Sequence, residues 1–155
     1  MTIDDDIAFL ERIPTLRRLG AAALRILAIG AESLDVQAEQ ALFNVGEPAD
    51  GAYIIQRGSF VLNTETGNQS EVIAGPGTLL GEAALLAETR RPATARARED
   101  STVLRISRAM FLRMLDGYPD AALRLRDLIA SRADQWAREL ENVRAALTRG
   151  DTTPG

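Results

Sequence analysis

Short β-prone runs separated by glycines fill the middle of this 155-residue chain, and they constrain its fold more than any other feature. Between residues 32 and 107 these runs are ALFNV, AYIIQ, SFVLNT, SEVIA, ATARAR and TVLRIS. Many short strands with regular turn signals between them are typical of antiparallel barrels and jelly rolls. We therefore expect an antiparallel, jelly-roll-like β-roll over residues 32–107, with TETGNQ as the tip of a hairpin.

Helical periodicity precedes the β-prone region. Over residues 3–31 apolar side chains recur at helical spacing, at Ile7, Leu10, Ile13 and Leu16. A proline inside a helix removes a backbone hydrogen bond and clashes with the preceding turn. The pattern therefore predicts two short helices that are divided at Pro14.

Helical periodicity returns after residue 107. Ser107 is a good N-cap for the run RAMFLRMLDGY, and Gly117 with Pro119 ends that helix. A last helix is expected to begin at residue 119 or 120 and to reach Leu147. We predict one α+β domain over residues 1–155, made of helices over 3–31, a β-roll over 32–107, helices over 108–147 and a tail over 148–155.

The composition removes whole classes of chemistry. The chain has no cysteine and no histidine, and all 18 of its basic residues are arginine. Zinc and copper sites therefore lack their usual ligands, and the histidine-dependent catalytic triads are excluded. Without lysine there is no Schiff base and no P-loop ammonium group. We therefore expect a binding module with no metal and no catalytic residues, rather than an enzyme.

Charge and hydropathy patterning limit the partners. The net charge is −4, whereas nucleic-acid affinity depends on a cationic surface, so we expect no nucleic-acid binding. The N-terminus, MTIDDDIAF, is acidic where a signal peptide would be basic. The apolar run AAALRILAIGA is too short to span a bilayer. These features predict a cytoplasmic protein without membrane contact.

The stretch GEAALLAETRRPATARA combines a glycine–glutamate pair, a short apolar turn and two arginines. A single helical turn beginning at Glu82 would leave the amides of Ala83, Ala84 and Leu85 without intrahelical partners. Such amides, together with the partial positive charge of the turn, bind anions. The turn therefore predicts an anion site built from backbone donors.

The flanking charged residues suggest which anion. Arg91 lies far enough after Glu82 for the chain to fold back, and its planar guanidinium suits the paired oxygens of a phosphate. Glu82 needs a donor beside it, and a ribose hydroxyl is one. This interpretation predicts that the stretch binds a sugar phosphate, with Arg91 at the phosphate and Glu82 at the sugar. A solvated surface ion pair between the glutamate and the arginines stays open as the alternative on spacing alone.

The same stretch resembles the phosphate-binding cassette of cyclic nucleotide-binding domains. Gly81-Glu82, Ala84-Leu85 and Arg91-Pro92-Ala93-Thr94 fit that pattern without gaps. Upstream, FNVGEPADGAYIIQRGSFVL is similar to the family's glycine- and tyrosine-containing stretch, and TVLRISRAMFLRML is similar to its strand and hinge helix. The resemblance covers nearly the whole chain, and it implies that the C-terminal helices serve as hinge and lid.

The resemblance assigns roles to the residues of the cassette. It implies that Arg91 binds the cyclic phosphate and Glu82 the ribose 2′-hydroxyl. Gly81, Ala83 and Ala84 would contribute backbone contacts. No cofactor is expected besides the nucleotide ligand.

The residues after the arginine complete the predicted ligand contacts, which are Pro92, Ala93 and Thr94. Pro92 offers neither a hydroxyl nor an amide hydrogen to a guanine group, which favours cAMP over cGMP. Thr94 lies on a predicted strand, where threonine is common for its β-propensity, so a ligand contact and a structural role both stay open. Arg90 lies outside the motif and is expected on the surface.

The purine base needs a cover. Arg132 interrupts the apolar stripe of the last helix and could stack on a purine, so it is included among the predicted ligand-binding residues. Trp136 in the same stripe is expected to be a core or dimer contact. A homodimer through the C-terminal helix is therefore a possible assembly.

With the chain ending at Gly155, too early for a helix-turn-helix domain, we expect a stand-alone cyclic nucleotide receptor or an excised regulatory domain whose output partner lies elsewhere. Ligand occupancy would be transmitted to an effector protein by a population shift of the C-terminal helices. One alternative is a degenerate member that acts as an interaction module without nucleotide. A metal-dependent cupin-type enzyme is the other, and the absence of histidine argues against it.

Overall fold

A computed structural model of the chain describes residues 2–63 and 71–128. The predicted hairpin tip at TETGNQ lies outside these residues. So do Arg132, Trp136 and the rest of the predicted last helix beyond residue 128.

The N-terminal segment forms three helices, namely α1 (Ile3–Glu11), α2 (Pro14–Arg17) and α3 (Ala21–Gly30). Thr2 caps α1 in a capping box, in which the Asp5 amide donates to the Thr2 hydroxyl and the Thr2 amide donates to the Asp5 carboxylate, each at 3.2 Å. The prediction of two helices was wrong. Besides the break before Pro14, Gly20 takes a φ of 91°, a left-handed conformation that ends one helix and starts another.

Ten short strands follow in the part of the chain that the structure describes, and every pairing among them is antiparallel. They are β1 (Glu32–Val36), β2 (Ala41–Phe43), β3 (Pro48–Ala49), β4 (Gly51–Arg57), β5 (Phe60–Asn63), β6 (Val72–Ala74), β7 (Leu79–Leu80), β8 (Thr89–Arg90), β9 (Thr94–Ala97) and β10 (Ser101–Ser107). A single 3₁₀ turn (Glu82–Leu85) lies between β7 and β8. This order of helices, β-roll and helices confirms the predicted fold class.

The strands form two four-stranded sheets and a two-stranded ribbon. The first sheet has the order β1-β10-β4-β7 and the second the order β2-β9-β5-β6, while β3 pairs with β8. All six predicted runs contain strands. The four strands that the pattern missed are either two residues long or, like β1, exposed along most of their length and so without an apolar signal.

The C-terminal helices begin as predicted. Helix α4 (Arg108–Gly117) starts after Ser107, whose hydroxyl accepts from the Met110 amide at 3.2 Å. A further helix, α5, begins at residue 119 and is described to residue 128. The break between them lies at Tyr118, as the Gly117 and Pro119 signals predict.

Two hydrophobic cores lie on opposite faces of the first sheet. The helical-layer core packs α1–α5 against the sheet, and its largest buried members are Leu10, Ile13, Leu16, Leu19, Leu24, Leu27, Ile54, Leu85, Ile106 and Phe111. The roll-interior core consists of Val36, Phe43, Ile55, Phe60, Ala74, Leu80, Ala95, Ala97 and Val103. Neighbouring residues of one strand belong to different cores, because successive side chains of a strand point to opposite faces of the sheet. Ile54 therefore belongs to the first core and Ile55 to the second.

Candidate functional site

Gly81 directly precedes the 3₁₀ turn, and any other residue would be strained at this position. Gly81 has φ 82° and ψ 35°, which is the left-handed region. A Cβ built at this position would also collide with Nη1 of Arg91. Gly81 is thus required both for its backbone conformation and for the close approach of the arginine.

Arg91 follows β8 directly, and its backbone is fixed by two hydrogen bonds. Its amide donates to the Glu47 carbonyl, and its carbonyl accepts from the Gly46 amide, each at 2.8 Å. These bonds continue the pairing of β3 with β8. They hold the Arg91 side chain on the inner side, where only 4% of the residue is exposed.

The buried guanidinium lies against two aromatic rings. Its Cζ atom is 4.5 Å from the ring centroid of Phe43 and 5.5 Å from that of Tyr53. The two rings are stacked on each other with centroids 5.9 Å apart. Cation–π attraction therefore orients the charged group.

The Arg91 guanidinium is nevertheless incompletely satisfied. Its Nη1 atom is buried and has no hydrogen-bond acceptor among the residues that the structure describes. Burial lowers the pKa of Arg91, and the negative groups Asp50 and Glu47 oppose that change only in part. Arginine stays cationic in proteins, so a charged donor is held in a low-dielectric region without its partner. A group of this kind calls for an explanation, and an anionic ligand supplies one.

Glu82, the first residue of the turn, is held by the helical layer. The hydroxyl of Thr15 on α2 donates to Glu82 Oε1 at 3.2 Å, and Thr15 is only 4% exposed. Sequence analysis did not name Thr15, because 67 residues separate it from Glu82 and no motif links them.

The amides of the turn only partly match the expectation. The Ala84 amide donates to the Gly81 carbonyl at 3.0 Å, so the prediction that it would lack a partner within the turn was wrong. The physical reason is that a 3₁₀ turn closes its bonds over three residues and satisfies its amides one position earlier than an α-helix does. Ala84 is buried and Ala83 is exposed.

The residues after Arg91 lie in different surroundings. Pro92 is exposed, while Ala93 and Thr94 are half-buried. The Thr94 hydroxyl accepts from the Val45 amide at 2.9 Å and so ties the start of β9 to the loop before β3. Arg90 is exposed and donates to the Gly46 carbonyl at 2.8 Å, which confirms its predicted surface position.

In the structure, Gly81 therefore lies directly against the side chain of Arg91, and Glu82 accepts a hydrogen bond from Thr15. It does not place Arg132, which lies outside the described residues. The sequence did not predict the aromatic pair beside Arg91, although Phe43 and Tyr53 both lie in the stretch FNVGEPADGAYIIQRGSFVL. Their side chains could not be assigned to Arg91 without the fold that brings β2, β4 and the end of β8 together.

A surface depression of about 420 Å³ lies beside this site. It is lined by Pro48, Ala49, Asp50, Glu88, Thr89, Arg90 and Arg108. Neither Gly81 nor Arg91 lines it, so it is not the predicted phosphate site.

Two further observations concern only residues 2–63 and 71–128. No helix in these ranges is long and apolar enough to cross a membrane. The same ranges contain no group of three or more histidine, cysteine, aspartate or glutamate side chains arranged to hold a metal ion.

Comparison with known proteins gives a consistent result. Residues 33–118 match the family described as "Cyclic nucleotide-binding domain". An NTE-family protein of Mycobacterium tuberculosis is 35% identical over 148 residues, which cover 92% of this chain and 25% of that protein. The chain therefore spans about a quarter of the length of the curated relatives it matches there.

Two solved structures extend the comparison. A cyclic nucleotide-binding-like protein from Brucella abortus is 42% identical with a TM-score of 0.64, and the match covers 73% of this chain and 99% of that one. The catabolite activator protein of Thermus thermophilus is 27% identical with a TM-score of 0.68, and the match covers 84% of this chain and 62% of that one.

Proposed function

Because the chain belongs to the cyclic nucleotide-binding domain family, we propose that it is a receptor for a cyclic nucleotide, with Arg91 binding the cyclic phosphate. The observation that carries the proposal is the buried Nη1 of Arg91, which has no acceptor among the described residues. A phosphate oxygen would accept from this atom without displacing any hydrogen bond there. The stacked rings of Phe43 and Tyr53 would keep the guanidinium oriented while the bond forms.

Glu82 is proposed to accept from the ribose 2′-hydroxyl. Thr15 holds one carboxylate oxygen of Glu82, which limits the orientations that the side chain can take. Gly81, Ala83 and Ala84 are proposed to provide the backbone contacts, with Gly81 supplying the tight turn that brings the chain close. Ala93 and Thr94 are proposed at the edge of the same site, and Arg132 as the cover of the base.

The proposed nucleotide is cAMP. Pro92 is exposed and has neither a hydroxyl nor an amide hydrogen, so it cannot bond the amino group that distinguishes guanine. Adenine makes no such demand of the residue after the arginine. We infer that cAMP binds more tightly than cGMP.

The proposed output is regulatory, through an effector protein and movement of the C-terminal helices. The matched NTE-family protein is about four times as long as the stretch it shares with this chain, which supports the view that this fold is used as a module within larger proteins. Occupancy would shift the equilibrium between two positions of α4 and α5 only by the difference in nucleotide affinity between them.

The test is isothermal titration of the purified chain with cAMP and with cGMP, beside Arg91→Ala. Charge-assisted hydrogen bonds contribute about 1.5–3 kcal/mol each, so losing two should weaken binding by roughly a hundredfold or more. Arg90→Ala is the matched control, because it removes a neighbouring arginine that is exposed, and it should bind within about threefold of the unaltered chain.

Either of two results would contradict the proposal. One is the absence of binding by folded, nucleotide-free protein, which would favour the interaction-module alternative. The other is equal weakening by Arg90→Ala and Arg91→Ala, which would point to a diffuse electrostatic effect rather than a phosphate contact.

A further inference from the structure

Arg108, the first residue of α4, contacts the C-terminal end of the 3₁₀ turn and the strand β3. Its Nη1 atom donates to the carbonyl of Ala84 within the turn at 3.1 Å and to that of Ala87, two residues beyond the turn, at 3.0 Å. The same atom donates to the Ala49 carbonyl on β3 at 2.9 Å. The Arg108 amide donates to the Asp50 carbonyl at 2.7 Å.

Ala84 lies in the 3₁₀ turn and Ala49 on β3, while Ala87 and Asp50 lie in the loops that directly follow these two elements. The last carbonyls of a helical turn lack partners within the turn, so a guanidinium that binds them fixes the turn's end. Ala49 lies on β3, the strand that pairs with β8 immediately before Arg91. Arg108 therefore joins the 3₁₀ turn and the β3–β8 ribbon to the start of α4.

We propose that Arg108 is the residue that couples nucleotide occupancy to the position of α4. The inference rests on the proposed function, since it takes the nucleotide to be held by Arg91 and by the first residues of the turn. A ligand bound there fixes one end of the turn, and Arg108 holds the other end. A shift of the turn is then transferred to α4 by the hydrogen bonds of Arg108, in addition to the packing of Leu85 in the core that also contains Phe111.

Arg108 is thus a positioning residue, with no contact to the ligand itself. A purely structural role would predict that its loss lowers stability and leaves the response of α4 to ligand intact. A coupling role predicts that the response is lost at full saturation. The two are separated by measuring affinity and helix response independently.

The experiment uses hydrogen–deuterium exchange of peptides spanning residues 108–118, with and without saturating cAMP, alongside isothermal titration of the same samples. Allosteric couplings are typically worth fivefold or more, so cAMP should slow exchange in α4 of the unaltered chain by about fivefold or more. Arg108→Ala should still bind cAMP within about tenfold, but the change in α4 exchange should fall to less than about twofold. Arg108→Lys should lie between, because an ammonium can reach these carbonyls but lacks the fixed geometry of the guanidinium.

Arg113→Ala is the matched control, because Arg113 is an exposed arginine on the same helix. It should keep the full α4 response. A retained response in Arg108→Ala would overturn the inference, and so would an equal loss in Arg108→Ala and Arg113→Ala. If the alanine variant does not fold, the lysine variant decides: a reduced response supports the coupling, and an unchanged one overturns it.

The outcomes also separate this inference from the function it rests on. If the unaltered chain binds neither cAMP nor cGMP, the proposed function fails and the coupling fails with it. If the chain binds cAMP and α4 exchange does not change, only the coupling is overturned.

Discussion

The two hydrophobic cores share a sheet but are built differently. The helical-layer core has three alanines among its sixteen members, and the others are leucine, isoleucine, phenylalanine and methionine. Among the described residues of its helices, Thr15 is the only polar side chain that is buried. The roll-interior core has three alanines among its nine members, and its aromatic Phe43 lies beneath the buried charge of Arg91. Large apolar side chains contribute about 1.5–3 kcal/mol each when fully buried, whereas a buried charge without its partner is destabilising.

The difference separates stability from recognition. The helical layer contains sixteen of the buried apolar residues and the roll interior nine, so we expect the larger share of the apolar stabilisation in the helical layer. The roll interior contains the buried Nη1 atom of Arg91, which has no hydrogen-bond partner among the described residues, and such a departure from the rules of the rest of a fold is expected at a functional site.

The largest expected effect lies in the helical layer. Phe111→Ala on α4 removes a fully buried ring from the helical-layer core and should lower the free energy of unfolding by about 3–5 kcal/mol. Urea denaturation measures the change, and Leu112→Ala serves as the control because Leu112 is 39% exposed. A loss of less than about 1 kcal/mol would contradict the assignment of stability to this layer.

The next prediction is a change in the free energy of unfolding with the opposite sign, at Arg91. Arg91→Met replaces the buried charge with an apolar side chain of similar length and should leave the free energy of unfolding unchanged or raise it by about 1–4 kcal/mol. The same variant should bind cAMP at least about a hundredfold more weakly. Urea denaturation and titration measure the two changes. A destabilisation comparable to that of Phe111→Ala would remove the distinction between the cores.

A pair of glycines isolates the crowding around Arg91. Gly77→Ala carries the strain of a left-handed backbone, at φ 87°, and its Cβ would meet nothing within 4 Å. Gly81→Ala carries the same strain and also displaces the Arg91 side chain. Each should destabilise by about 1–2 kcal/mol, but only Gly81→Ala should weaken cAMP binding, by about tenfold or more. Thermal unfolding measures the stability of both variants. Equal cAMP affinities of the two variants, at equal stability, would show that Gly81 does not affect Arg91.

The smallest effect tests the hydrogen bond that joins Thr15 on α2 to Glu82. Thr15→Val keeps the shape of the side chain and removes the hydrogen bond to Glu82, so titration should show cAMP binding weakened by about threefold to tenfold. Thr2→Val is a control for loss of a threonine hydroxyl, since Thr2 bonds only within the cap of α1. Unchanged affinity in Thr15→Val would mean that Glu82 is oriented by other contacts.

The sequence predicted most of the architecture, for reasons that are local. Glycine turns and β-prone runs are written in neighbouring residues, and so is the Ser107 cap of α4. The sequence predicted two N-terminal helices instead of three. A glycine permits the left-handed conformation of Gly20 but does not require it, so the break at this position could not be predicted.

The site was predicted in part. The positions of Gly81 and Arg91 follow from a contiguous motif, and the structure places them in contact. Thr15, Phe43 and Arg108 act across 67, 48 and 21 to 24 residues of chain, respectively, so no spacing rule could have joined them to it. Such contacts depend on how the sheets stack against one another and against the helices.

The strands β4 and β10 form a wall common to both cores, with Ile54 facing one side and Ile55 the other. Neither core can melt without exposing a face of the other, so we expect the domain to unfold as a single cooperative unit. Nucleotide at a hundred times its dissociation constant would stabilise such a unit by about 2.7 kcal/mol. An increase in the unfolding temperature, followed by the circular dichroism signal of the helices, would then report a ligand that is bound within the roll on the opposite face of these two strands.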